Sequence, residues 1–121
     1  MPISLQSELS TARQAITAHW KSCESVGLQH NAQNLEPVLA ALTSYATTLE
    51  QLPDGHGDKP VLDAMQKFYA SAHELNAKHD DGLLETDERE LIVPVLIRFA
   101  ELAGIDSAKY DGEPGSEFRD F

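Results

Sequence analysis

A chain of 121 residues with twenty acids, nine bases and a net charge of -11 is long enough for one domain with its own core. It is also too acidic to favour a phosphate backbone or an anionic membrane. Hydrophobic residues make up 41% of it, which argues against wholesale disorder, and no apolar run approaches the ~20 residues needed to span a bilayer.

The opening Met1-Pro2-Ile3-Ser4 has neither the basic region nor the apolar stretch of a secretory signal, so a cytoplasmic protein is expected. The single cysteine, Cys23, rules out a disulfide or a thiolate metal cage within one chain. It sits on an apolar stripe and reads as a buried small hydrophobe.

The periodicity is helical almost throughout. Leu5, Leu9, Ala12, Ile16, Trp20 and Cys23 recur at intervals of three and four, predicting a first helix over about 3–25 that stops near Gly27. A second stripe runs from Leu35 through Val38, Leu42, Tyr45 and Leu49 to Leu52. Asn34 is the expected N-cap there, and Pro37 is expected in the first turn. Pro53-Asp54-Gly55 closes that helix and opens the loop Asp54-Gly-His-Gly-Asp58.

Asp58 is expected to cap a third helix, with Pro60 in its first turn and Val61, Met65, Phe68, Tyr69, Ala72 and Leu75 buried. After the break at Asp80-Asp81-Gly82, a fourth helix begins near Thr86 and ends at Gly104. Its apolar residues are Leu91, Ile92, Val95, Leu96, Phe99, Leu102 and Ala103, and a kink is expected at Pro94.

Short connections between four such helices favour antiparallel neighbours. The fold expected is therefore all-α, a four-helix up-down antiparallel bundle over 1–104. An irregular acidic tail over 105–121 packs on it or extends from it, with Ile105, Tyr110, Phe118 and Phe121 available to dock it.

Signatures of chemistry are absent. No histidine among His19, His30, His56, His73 and His79 has an acid three residues before it, so a helical carboxylate–histidine metal site is disfavoured. The Asp54–Asp58 loop reads as a tight turn, and Asp106 to Glu117 fails the ligand spacing of a calcium-binding loop. There is no nucleophile elbow, no phosphate-cradling glycine loop and no basic stripe. A non-enzymatic protein without cofactor is the expectation.

What stands out is where the charge lies. Asp80 to Phe121 holds twelve acids against four bases, a net of -8, while the first 79 residues hold eight against five, a net of -3. Asp87, Glu88 and Glu90 complement the positive end of a helix dipole, but most of the others have no such local reason. A basic partner protein is the expectation. Asp80, Asp81, Glu85, Asp111, Glu113 and Glu117 would be its charged contacts, and Tyr110 and Phe118 its apolar anchors.

Two resemblances sharpen this. In size, class and charge the chain resembles small acidic all-helical bacterial immunity proteins, which implies neutralisation of a toxin with a cationic site. Locally, Asp81-Gly82-x-Leu84-x-x-x-Glu88, within the stretch 80–104, resembles the signature of the TerB-like helical domains. That likeness implies, as the alternative, a divalent-cation-binding or stress-response domain with Asp81 and Glu88 as ligands. An exposed apolar stripe on the first or fourth helix would favour a homodimer.

Overall fold

A computed structural model describes residues 4–24, 32–53, 55–78, 84 and 86–118, without the side chains of residues 23, 24, 32 and 86. Among these residues there are four α-helices and no strand: α1 (Gln6–Glu24), α2 (Ala32–Glu50), α3 (Lys59–Ala77) and α4 (Thr86–Leu102). Two 3-10 turns follow, Ser107–Tyr110 and Ser116–Phe118.

Long-range hydrogen bonds fix the helix directions. The start of α1 meets the end of α2 through Glu50, and Arg13 Nη1 donates to Thr43 Oγ1 at 2.7 Å farther along the same pair. The end of α1 meets the start of α4 through His19 and Glu88. Both pairs are antiparallel. α2 is the central helix, packed on α1 and α3 and touching α4, whereas α4 leans on α1.

The apolar stripes converge as their spacing demands. Leu5, Ile16, Trp20, Leu42, Leu49, Met65, Tyr69, Ile92, Leu96 and Phe99 are fully buried. On α4 the buried face is turned slightly from the expected one. Val93 and Ala100 are inside, and Leu91, Val95 and Leu102 are only half-buried.

At the α2 start the expectation needs correcting. Asn34 lies inside the helix rather than capping it, and Pro37 occupies the sixth helical position. Its ring is exposed, and the cost is confined to the one hydrogen bond that the Gln33 carbonyl would have accepted. The α4 helix runs through Pro94 without interruption.

The start of α1 is capped by a tertiary contact and the end of α4 by local backbone bonds. The Glu50 carboxylate accepts from the Leu5 backbone N–H at 2.7 Å and from Gln6 Nε2 at 3.0 Å, so the last residue of α2 satisfies the first orphan donor of α1. Its negative charge also meets the positive end of the α1 dipole. At the end of α4, Ile105 N–H reaches back to the Ala100 carbonyl and Gly104 N–H to Glu101, both at 3.0 Å. That pairing requires the left-handed φ of +110° at Gly104 and buries Ile105.

Inside, the Tyr45 hydroxyl donates to the Leu96 carbonyl at 2.8 Å, tying α2 to α4. Burial, with Tyr69 nearby, pushes this phenol well above its ordinary 10.0.

Two outcomes follow from these ties. Glu50→Ala is expected to cost about 1–2 kcal/mol in denaturant unfolding, with α1 loosened first in hydrogen exchange. Tyr45→Phe is expected to cost about 1 kcal/mol at neutral pH. Because the folded chain holds the Tyr45 proton more tightly than the unfolded chain, its contribution is full below the ordinary phenol range and declines as pH rises beyond it. The Phe variant should therefore lose stability less steeply than wild type in alkaline melts.

Candidate functional site

Residues 105–118 of the tail pack back on the helices. From Gly104 the chain drops Ile105 into the core, and Asp106 then caps the first 3-10 turn, its Oδ1 accepting from Ala108 N–H at 3.1 Å. Asp111 ends that turn with a left-handed φ of 55°, a conformation Asp tolerates better than most residues. Pro114 and Gly115 are buried, and Gly115 lies so close to α3 that a Cβ there would meet the Met65 side chain at 3.1 Å.

A second fastening comes from Tyr110, whose hydroxyl donates to Asp58 Oδ2 at 2.6 Å. That hydrogen bond, assisted by partial burial and by the Asp58 and Glu117 charges, raises the phenol above its ordinary value. The proton therefore stays on Tyr110, and the bond persists across neutral pH. Asp58 stands at the N-cap position of α3 as expected, but its backbone is αR and its side chain makes no cap hydrogen bond. The tail has claimed that carboxylate instead.

The platform has a consistent chemistry. Asp111, Glu113 and Glu117 are exposed, and Tyr110 and Phe118 are half-buried beside them. None of the three acids is in an ion pair among the described residues, where the pairs are His19–Glu88 and Lys59–Asp63. Five of the eight expected partner-binding residues thus share one short, fastened segment. The other three, Asp80, Asp81 and Glu85, lie outside the described residues.

Glu88 has a different place from a rim acid or an open ligand. It is 4% exposed, at the start of α4, with Oε2 2.5 Å from His19 Nε2 on α1. The TerB-like alternative needs Glu88 together with Asp81, and Asp81 lies outside the described residues. Among the described residues no group of three or more His, Cys, Asp or Glu is placed to hold a metal ion. Gly55 and Gly57 both have positive φ, the backbone a tight α2–α3 turn requires.

Sequence reasoning missed three features. His19 pairs with the buried Glu88, a contact 69 positions away that no local pattern announces. Asn76, buried on α3, accepts from the Leu84 N–H at 2.8 Å and ties down the approach to α4. Asp58 was visible as a helix-start residue, but its bond to Tyr110 was not.

His19→Leu removes one partner of a buried carboxylate and should cost about 2–3 kcal/mol in equilibrium unfolding. Combining it with Glu88→Leu should cost less than the sum of the two single changes, because both polar groups then leave the interior together. No helix among the described residues is long and apolar enough to cross a membrane. In comparisons with known proteins, no family model, no curated protein and no solved structure matches this chain.

Proposed function

We propose that this chain is a non-enzymatic acidic helical binding protein that neutralises a basic protein partner, as an immunity protein does against a bacterial toxin. The observation that carries the reading is the tail platform: Asp111, Glu113 and Glu117, exposed and in no ion pair among the described residues, around Tyr110 and Phe118. Carboxylates that served only to hold the fold together would be engaged, as those of Glu50, Asp58 and Glu88 are. Among the described residues these three are not, although the backbone carrying them is anchored.

The mechanism is electrostatic and steric. Unscreened carboxylates speed encounter with a cationic site over roughly a Debye length, ~8 Å at physiological salt. Short-range pairing with Lys or Arg then fixes orientation, and the aromatic edges of Tyr110 and Phe118 supply desolvated contact. Because Gly115, Pro114 and the Tyr110–Asp58 bond fasten the platform beforehand, little ordering entropy remains to be lost on binding. A partner whose cationic active site is covered in this way loses access to its own anionic substrate.

The test uses wild type and the Asp111→Lys, Glu113→Lys, Glu117→Lys triple variant as bait in extract from the source cells. Wild type is expected to retain a basic protein at low salt and release it as salt rises. The variant should bind at least tenfold more weakly, with a melting temperature within a few degrees of wild type. Retention of no basic protein, or equal retention by both baits, would overturn the proposal. So would a purified partner whose activity is unchanged by saturating wild type.

A further inference from the structure

Away from the tail, a groove of about 440 Å³ runs along the outer seam of α2 and α3. Its floor is apolar, built from Ala41, Ala64 and the rings of Tyr45 and Phe68. The Tyr45 hydroxyl is turned away to Leu96, so the ring is what it offers the groove. Along α2 no charged residue occurs between Glu36 and Glu50, which is unusual for a helix with one side in water. All the charge of the groove comes from α3 and its C-cap, as Lys67, Glu74 and Lys78.

Lys67 and Lys78 are eleven residues apart, three helical turns and about 16 Å, so they lie on one side of α3. Glu74 stands between them, giving the order plus, minus, plus. The exposed face of α4 carries the reverse order in the same span. Glu90 and Glu101 are also eleven residues apart, Arg98 stands between them, and exposed Pro94 and half-buried Ile97 fill the interval. In a parallel alignment Glu90 meets Lys67, Arg98 falls within one residue of Glu74, and Glu101 meets Lys78. All six charged side chains are exposed, and none is in an ion pair among the described residues.

We propose that the outer face of α4 docks into the α2–α3 groove of a second copy of this chain. Within one molecule α4 turns its other face, with Ile92, Leu96 and Phe99, into the core, so the outer face is left for another molecule. The two surfaces are different patches, which makes the contact head-to-tail rather than two-fold. Three turns of helix bury less than a standard interface of about 800 Å² per partner, so the association is weak and reversible. The net charge of each copy opposes it, and salt screens that repulsion more than the close pairs. The acids involved are not those of the tail platform, so binding of a basic partner and self-association are separable.

The experiment is sedimentation of the full chain over a range of concentrations at about 0.15 M salt, the ionic strength at which long-range repulsion is damped. Wild type should show concentration-dependent self-association. Lys67→Glu with Lys78→Glu, and separately Glu90→Lys with Glu101→Lys, should each weaken it at least tenfold. An equimolar mixture of the two variants should restore it, because each surface then finds its charge complement on the other chain. Circular dichroism checks the folding of each variant. Should either fail to fold, the single changes Lys78→Glu and Glu101→Lys are compared in the same way. A wild type that stays monomeric throughout, variants that associate like wild type, or a mixture of folded variants that stays monomeric would each overturn the proposal.

Discussion

The ring of Tyr45 stands where α2, α3 and α4 meet. It lies parallel to Phe99 with centroids 6.2 Å apart, tilts against Phe68 at the same distance, and sends its hydroxyl to the Leu96 carbonyl. Large aromatic surfaces supply much of the apolar burial in a core of this size, and a buried hydroxyl without a hydrogen-bond partner is costly. The backbone carbonyl of α4 is that acceptor, which sets both the depth and the rotation of α4 against α2.

Around this centre the carboxylates divide by what surrounds them. Glu50 caps the start of α1, Glu88 is buried against His19, Asp106 caps a 3-10 turn and Asp58 receives the Tyr110 hydroxyl. Glu50, Glu88 and Asp58 join segments far apart in the chain, whereas the exposed Asp106 holds its own turn. The remaining exposed acids have no such task among the described residues. Those on the tail are presented by an anchored backbone beside two aromatic rings, and those on α4 alternate with a base along one helical face. Binding is the use we propose for both arrangements, because a carboxylate in water contributes little to folding but much to encounter and orientation.

Much of the fold was legible in order of residues. Apolar intervals of three and four marked all four helices, the Gly104 stop was visible in the letters, and Ile105 and Phe118 were recognisable as docking side chains. The errors fell at helix starts. Asn34 and Asp58 both look like N-caps, yet one lies inside α2 and the other serves Tyr110. Capping preference describes what a side chain can do for its own helix, but Asp58 has an αR backbone and its carboxylate accepts from Tyr110 at 2.6 Å. For the candidate site, the acids of the tail and its two aromatic residues were readable from composition. That the segment is fastened was not, because fastening depends on Gly115 meeting Met65, 50 positions earlier.

The order of residues by itself determined the helical class, the acidic surface and the concentration of negative charge toward one end. All three are sums over local properties: propensity, periodicity and formal charge. Tertiary structure alone decided which acids are spent and which remain available, and which helix faces stay in water. Glu88 and Glu90 are two residues apart on one helix, yet one is sealed against His19 and the other stands in solvent. Nothing in their neighbouring letters separates them. The difference is the packing of α1 on one side of α4, which removes water from the first carboxylate and leaves it around the second.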